Sequence, residues 1–169
     1  MTRRDVIRER INKIDPYKKY THNAIGFSQL FADVYKYHCR FNRNAGKWFY
    51  YDGKTWQADL RSCETMKYLK EFVGLLKQYA IANACAPYYM DWIGKLSGFY
   101  YRDHMIKDSS PHHYFDSSEC DNNPMLLNCQ NGTLCLETFT LKPHNPNDKL
   151  TKISNVSFDQ NAQAPRWLG

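Results

Sequence analysis

The stretch LLNCQNGTLCLE, residues 126–137, carries the clearest fold signal in the chain. Asn131-Gly132 marks a two-residue β-hairpin, because both residues tolerate the positive φ angles of the turn. Pairing outward from it predicts Gln130 opposite Thr133, Cys129 opposite Leu134, Asn128 opposite Cys135 and Leu127 opposite Leu136. Alternation then gives one apolar face, Leu127, Cys129, Leu134 and Leu136, expected to be buried side by side. The other face, Leu126, Asn128, Gln130, Thr133, Cys135 and Glu137, is mostly polar. A one-residue slip would exchange the two faces, so the split supports the register.

A second hairpin signal lies upstream in GKWFYYDGKTWQAD, residues 46–59. A turn at Asp52-Gly53 sets Tyr51 against Lys54 and Phe49 against Trp56, with Phe49 and Trp56 as the expected buried pair. Helical spacing accounts for the segments between. Ile7, Ile11 and Ile14 repeat at helical steps in residues 1–21, which read either as a docked amphipathic helix ending near Asp15-Pro16 or as a flexible DNA-contacting arm. Phe27, Leu30, Phe31, Val34 and His38 stack on one face of a helix running to Phe41. Residues 62–84 form the longest helix, capped by Ser62 and lined by Met66, Leu69, Phe72, Val73, Leu76 and Ala80. Pro87 ends it, a further helix covers Tyr88 to Tyr100, and a third covers Tyr101 to Lys107. The polar stretch from Asp108 to Pro124 reads as loop, Leu141 to Pro146 leaves the sheet, and Leu150 to Phe158 is expected to add one more strand. The fold class is therefore α+β, with several helices packed on small antiparallel β-hairpins.

With 169 residues the chain suffices for one domain with a real core and is too short for two ordinary ones. Hydrophobic residues make up 43% and charged residues 24%, the range of a folded globular protein. The net charge of +6 is uneven. Seven basic side chains face three acidic ones in residues 1–20, and five face Asp52 alone in residues 36–54. From Tyr101 to Met125 the balance reverses, with five carboxylates against Arg102 and Lys107. Such polarity suits a polyanionic partner, and it equally suits a solvated domain with basic ends. No apolar run reaches the ~18 residues of a membrane span, and no apolar stretch follows the basic N-terminus as in a signal peptide. A cytoplasmic protein with six reduced cysteines is the expectation.

Several chemistries lack their residues. There is no Cys-x-x-Cys pair, and the hairpin places Cys129 and Cys135 on opposite sheet faces, so no metal site is expected. Gly46-Lys47, Gly53-Lys54 and Gly94-Lys95 each lack the glycine five positions earlier that a phosphate loop requires. Gly-x-Ser-x-Gly is absent, and Asp116, Glu119 and Asp121 read as loop residues. No catalytic residue and no cofactor is assigned. Nucleic acid is the partner that the residues favour, through Arg3, Arg4, Lys36, Arg40, Arg43, Lys47 and Lys54 on phosphates, with exposed rings available to stack on bases. Trp48 and Trp56 read as core in preference to stacking platforms.

Two blocks resemble a known family. THNAIGFSQLF followed by Gly46, Trp48, Asp52, Gly53, Trp56 and Asp59 is similar to the opening of the accessory domain that precedes superfamily-3 helicase motors in phage, plasmid and poxvirus-type primase-helicases. That opening runs T-x-x-A, a helix, then G-x-W-x-x-x-D-G-x-x-W-x-x-D. The second block resembles the family at Asn123, Pro124, Leu127, Asn128, Asn131, Gly132, Leu136, His144, Pro146, Asp148 and Thr151, and closes on Asp159, Ala162, Pro165 and Trp167. Cys135 stands where the family has Asp, and Glu137-Thr138-Phe139 replaces its x-T-G turn, so that Asp's role is not carried over. The resemblance implies a basic segment at 1–20 and a pre-motor domain at 21–169. It assigns structural roles to Trp48, Asp52, Gly53, Trp56, Asn128, Asn131, Gly132, Pro165 and Trp167. It further implies a DNA-replication domain that engages DNA or assists ring assembly beside an ATP-driven motor, and that is not an enzyme by itself. The motor would follow Gly169 in a longer protein, a homo-oligomeric ring, with ATP and Mg confined to it. If Met1 is the native start, no primase domain precedes, and the parent resembles a helicase loader.

Overall fold

The computed structural model describes residues 2–162. Pro165 and Trp167 of the closing motif lie outside the described residues. The fold class is α+β. The chain forms two compact units. Among the described residues, those up to Tyr50 and from Gln57 to Ser117 build the first; Tyr51–Trp56 and the residues from Ser118 to Ala162 build the second.

The first unit is mainly helical: α1 (Arg3–Ile14), α2 (Pro16–Lys19), α3 (Ala24–Tyr35), α4 (Cys63–Ala82), α5 (Pro87–Leu96) and α6 (Phe99–Ser109). Thr2 and Asp5 form a reciprocal capping box at the start of α1, and Ile7 and Ile11 are fully buried. The segment is thus a docked helix and not a flexible arm. Asn23 caps α3 by accepting from the Gly26 backbone N–H. Gly26 has no substitute there, since a Cβ would lie 1.9 Å from the Thr21 carbonyl oxygen. The core joins Phe27, Leu30, Phe31 and Val34 of α3 to Leu69, Phe72 and Leu76 of α4, with Ile93 of α5 and Met105 of α6. Burial of that extent is the dominant stabilising term, at roughly 1.5–3 kcal/mol for each large apolar side chain.

Several boundaries differ from the sequence reading. Helix α3 stops at Tyr35, so His38 lies in a turn and Phe41 in a strand. The His38 N–H donates to the Tyr35 carbonyl, closing a four-residue turn that carries the chain into the sheet. Gly98 separates α5 from α6, dividing the predicted 88–100 helix. Ser62, at a φ of 56°, makes no cap hydrogen bond, and Asp59 performs that role. Part of the predicted 108–124 loop is a strand.

That strand, β4 (Tyr114–Phe115), runs parallel to β1 (Cys39–Asn42), which pairs antiparallel with β2 (Lys47–Tyr51); β3 (Trp56–Ala58) completes the order β3-β2-β1-β4. The β2–β3 turn closes one step later than expected, between Asp52 and Thr55. The Asp52 carboxylate accepts from the N–H groups of Lys54 and Thr55 and from the Thr55 hydroxyl, which requires it to stand before the turn. Tyr51 therefore meets Trp56, and their rings are 5.5 Å apart. Among the described residues the buried tryptophans are Trp48 and Trp56; Phe49 is half-buried against Phe115, correcting the predicted Phe49–Trp56 pair.

The second unit carries β5 (Leu126–Cys129), β6 (Gly132–Cys135) and β7 (Thr140–Lys142) in that order. Residues 140–142 are thus the third strand, whereas Leu150 to Phe158 forms no strand and instead hydrogen-bonds to Asn128 and Gln130 through Ser154 and Val156. The hairpin register is Leu126↔Cys135, Leu127↔Leu134, Asn128↔Thr133 and Cys129↔Gly132, so every residue meets a partner two positions earlier than predicted. Gly132 opens β6, and the position requires glycine because a Cβ would sit 2.5 Å from the Lys142 carbonyl oxygen. A shift of two preserves the faces, so Cys129 and Cys135 remain on opposite sides. Burial does not follow those faces: Leu127 is 40% exposed, while Asn128 and Thr133 are buried.

Asparagines, more than leucines, organise this unit. The Asn128 amide donates to the carbonyls of Lys54 and Lys152, both at 3.0 Å, and Asn131 exchanges two hydrogen bonds with the Phe158 backbone. Replacing Asn128 by Ala leaves two carbonyls unmet, so we expect a loss of about 2–3 kcal/mol in urea unfolding, larger than that of Leu127→Ala. In the first unit, burial pushes the His38 imidazole down to about 4, assisted by the Arg10 and Arg3 charges. The unfolded chain binds that proton more readily, so stability should decline as pH falls from about 6.5 to about 4, by on the order of 1–3 kcal/mol. Melts of His38→Gln across that range should show a flatter profile.

Candidate nucleic-acid interface

A groove of about 800 Å³ lies in the first unit between the start of α4, α6 and the β1–β2 hairpin. Its cations are Lys47, Arg61, Lys67, Lys70 and Lys107; its carboxylates are Asp59 and Asp103. Both carboxylates already have partners. Asp59 is buried, and accepts from the N–H groups of Glu64 and Thr65 and from the Thr65 hydroxyl at 2.7–3.0 Å. Asp103 pairs with Lys107 at 2.8 Å, as Glu64 does with Lys67 at 2.5 Å. Both are exposed helical pairs, worth a few tenths of a kcal/mol and readily exchanged for a ligand. Apolar surface comes from Phe41, Trp48, Met66, Ile106 and Phe99, whose ring at the start of α6 is 69% exposed.

The groove has a mechanical origin. The Trp48 carbonyl accepts from the Asp59 N–H at 2.8 Å, which fixes the end of β3 against β2. Arg61 and Ser62 then adopt φ of 55° and 56°, and Asp59 caps α4 across this kink. Two adjacent left-handed non-glycine residues cost on the order of 1–3 kcal/mol each and persist only when their surroundings hold them. The kink sets Arg61 at the groove, and helical spacing puts Lys67 and Lys70 beside it.

The seven sequence-predicted cations do not gather in one place. Lys47 alone lines this groove. Arg3 is paired with Glu71 at 2.8 Å and lies over the Tyr68 ring, and Arg4 is exposed on α1. Lys36 lies over Tyr37, and Arg40 donates to the Lys36 carbonyl. Arg43 grips Asp116 with two hydrogen bonds at 2.8 and 2.6 Å and stacks on Tyr114, holding the Asp116 carboxyl below its usual range. Lys54, in the second unit, donates to Gln130. Reading basic runs in the sequence misses Arg61, Lys67, Lys70 and Lys107, because no run contains them; the Lys67–Lys70 spacing next to Arg61 is the one available signal. The motif residues Asp52, Gly53, Trp56, Asn128, Asn131 and Gly132 lie in the turn and hairpin of the second unit, and Trp48 lies in the core of the first. Among the described residues, no three His, Cys, Asp or Glu side chains are grouped to hold a metal.

A two-unit α+β chain with asparagine- and aspartate-braced hairpins, and without a nucleotide loop, is the class defined here. Residues 28–169 match the family described as D5 N terminal like, and the chain belongs to it: this is the N-terminal domain found in D5-like primase-helicases. No curated protein sequence matches the chain. No helix of the described residues is long and apolar enough to cross a membrane.

Asp59→Ala should strip the cap from α4 and release the kink. We expect a loss of about 2–3 kcal/mol in urea unfolding, with Asp59→Asn costing less because its amide oxygen still accepts.

Proposed function

We propose that the groove of the first unit holds single-stranded nucleic acid, as the DNA-engaging part of a replication protein whose ATP-driven motor lies elsewhere in the same polypeptide. One observation carries the reading: five cations from four separate chain segments converge around an exposed phenylalanine, while both carboxylates of the groove are already occupied. Phosphates would meet Lys47, Arg61 and Lys70, and a base would stack on Phe99. The family supports the setting, since it belongs to primase-helicases. On this reading the domain itself is non-catalytic, needs no cofactor, works in the cytoplasm, and leaves ATP and Mg to the motor.

A second reading, a pure scaffold between subunits of a ring, is favoured by exposed apolar side chains at Leu60, Phe99 and Ile81. The two separate in a salt titration with an oligothymidylate. Binding to the groove predicts that log affinity falls linearly with log salt, by about 0.7 for each phosphate contacted. Lys47→Gln with Lys70→Gln should flatten that slope by about 1.4. Phe99→Ala should weaken binding about tenfold without changing the slope, and Arg43→Gln, whose side chain is committed to Asp116, should leave it unchanged. An unaltered slope in the double variant removes the groove from the proposal.

A further inference from the structure

A second concavity of the first unit, about 360 Å³ in volume, shares no residue with the groove. It is lined by Arg10 and Lys13 of α1, Lys19 of α2, and Lys36 immediately after α3, together with Ile14, Tyr20, Asp33 and Tyr37. Among the described residues, none of these four cations forms an ion pair. The one carboxylate of the pocket is committed: Asp33 accepts from the Tyr20 hydroxyl on one oxygen and meets His113 Nε2 at 2.7 Å on the other. The rings space the charges. Arg10 and Lys36 lie over the same Tyr37 ring at 5.1 and 5.0 Å, and Lys19 lies over Tyr20 at 5.6 Å.

Helix ends explain part of this arrangement. Cations favour helix C-termini, and α1, α2 and α3 all end here. At α3, however, carbonyls are already taken, since Arg10 donates to the Val34 carbonyl and Arg40 to that of Lys36. Lys19 acts on Asp33 from beyond ion-pair distance, and among the described residues Lys13 and Lys36 form no ion pair. Like charges gathered in one pocket repel unless an anion joins them.

We propose that this pocket binds a phosphate ligand bearing two or more negative charges, the chemistry shared by a terminal phosphate of a nucleic-acid strand and the phosphate chain of a free nucleotide. A single phosphodiester, with one charge, would leave most of the pocket's cations uncompensated. Stacked cations and fixed tyrosines hold the pocket open before the ligand arrives, and Asp33, bridged between Tyr20 and His113, is prevented from competing with it.

The test uses the whole chain and pyrophosphate as probe, read by calorimetry and by melting temperature at low salt. The proposal expects saturable binding, with Lys13→Gln and Lys36→Gln each weakening it about tenfold. It also expects both variants to melt at or above the parent temperature without ligand, because repulsion is relieved, and to lose the ligand-induced rise. Lys77→Gln, exposed on α4 outside the pocket, should alter neither. Competition by a 5′-phosphorylated oligothymidylate but not its 5′-hydroxyl form assigns the phosphate to a strand end; competition by a nucleoside triphosphate alone assigns it to a nucleotide. Absence of pyrophosphate binding, or Lys13→Gln and Lys36→Gln variants that melt lower and bind unchanged, overturns the proposal in favour of helix capping alone. Because the pocket and the groove share no residue, Lys47→Gln with Lys70→Gln leaves pyrophosphate binding intact, so either proposal can fail without the other.

Discussion

The Asp59 carboxylate is the constraint on which the first unit's working surface depends. It is buried, receives three hydrogen bonds from Glu64 and Thr65, and its own backbone N–H is tied to Trp48. One residue thereby links the end of a sheet to the start of the longest helix. Without the link, two left-handed residues in succession, Arg61 and Ser62, would relax into an ordinary turn and the cations of α4 would no longer face Lys47. A buried carboxylate is costly unless its lone pairs are used, and here the helix N-terminus supplies the donors.

The second unit relies on the same device with different residues. Asp52 gathers two backbone N–H groups and a hydroxyl into its turn, Asn128 ties two carbonyls together, and Asn131 brackets Phe158. Short polar side chains satisfy loop backbone that a small sheet cannot reach. The family motif is written in these residues, so it stays recognisable although Leu127 is exposed.

Much of this is legible in the sequence, and the two hairpin departures share a cause. Alternation places Cys129 with Leu134 and Cys129 opposite Cys135, and helical spacing identifies the buried face of α4. The fold displaces both hairpin registers by two, because neither Asp-Gly nor Asn-Gly supplies the two turn residues. Asp52 precedes its turn to reach the N–H groups beyond it, and Gly132 follows its turn to admit the Lys142 carbonyl. A displacement of two leaves side-chain faces intact, so the face pattern is blind to it. The groove is less legible still. Its cations come from residues 47, 61, 67, 70 and 107, and only tertiary packing brings them together. Of the basic runs that stand out in the sequence, Arg3, Arg43, Lys54 and Arg40 are engaged by Glu71, Asp116, Gln130 and the Lys36 carbonyl.

The most direct measurement is residue-resolved NMR of the uniformly labelled chain titrated with an oligothymidylate at low salt. The account predicts shift changes concentrated at Lys47, Arg61, Lys70 and Phe99, growing together toward saturation. Changes confined to the second unit, or none at millimolar oligonucleotide, would contradict it.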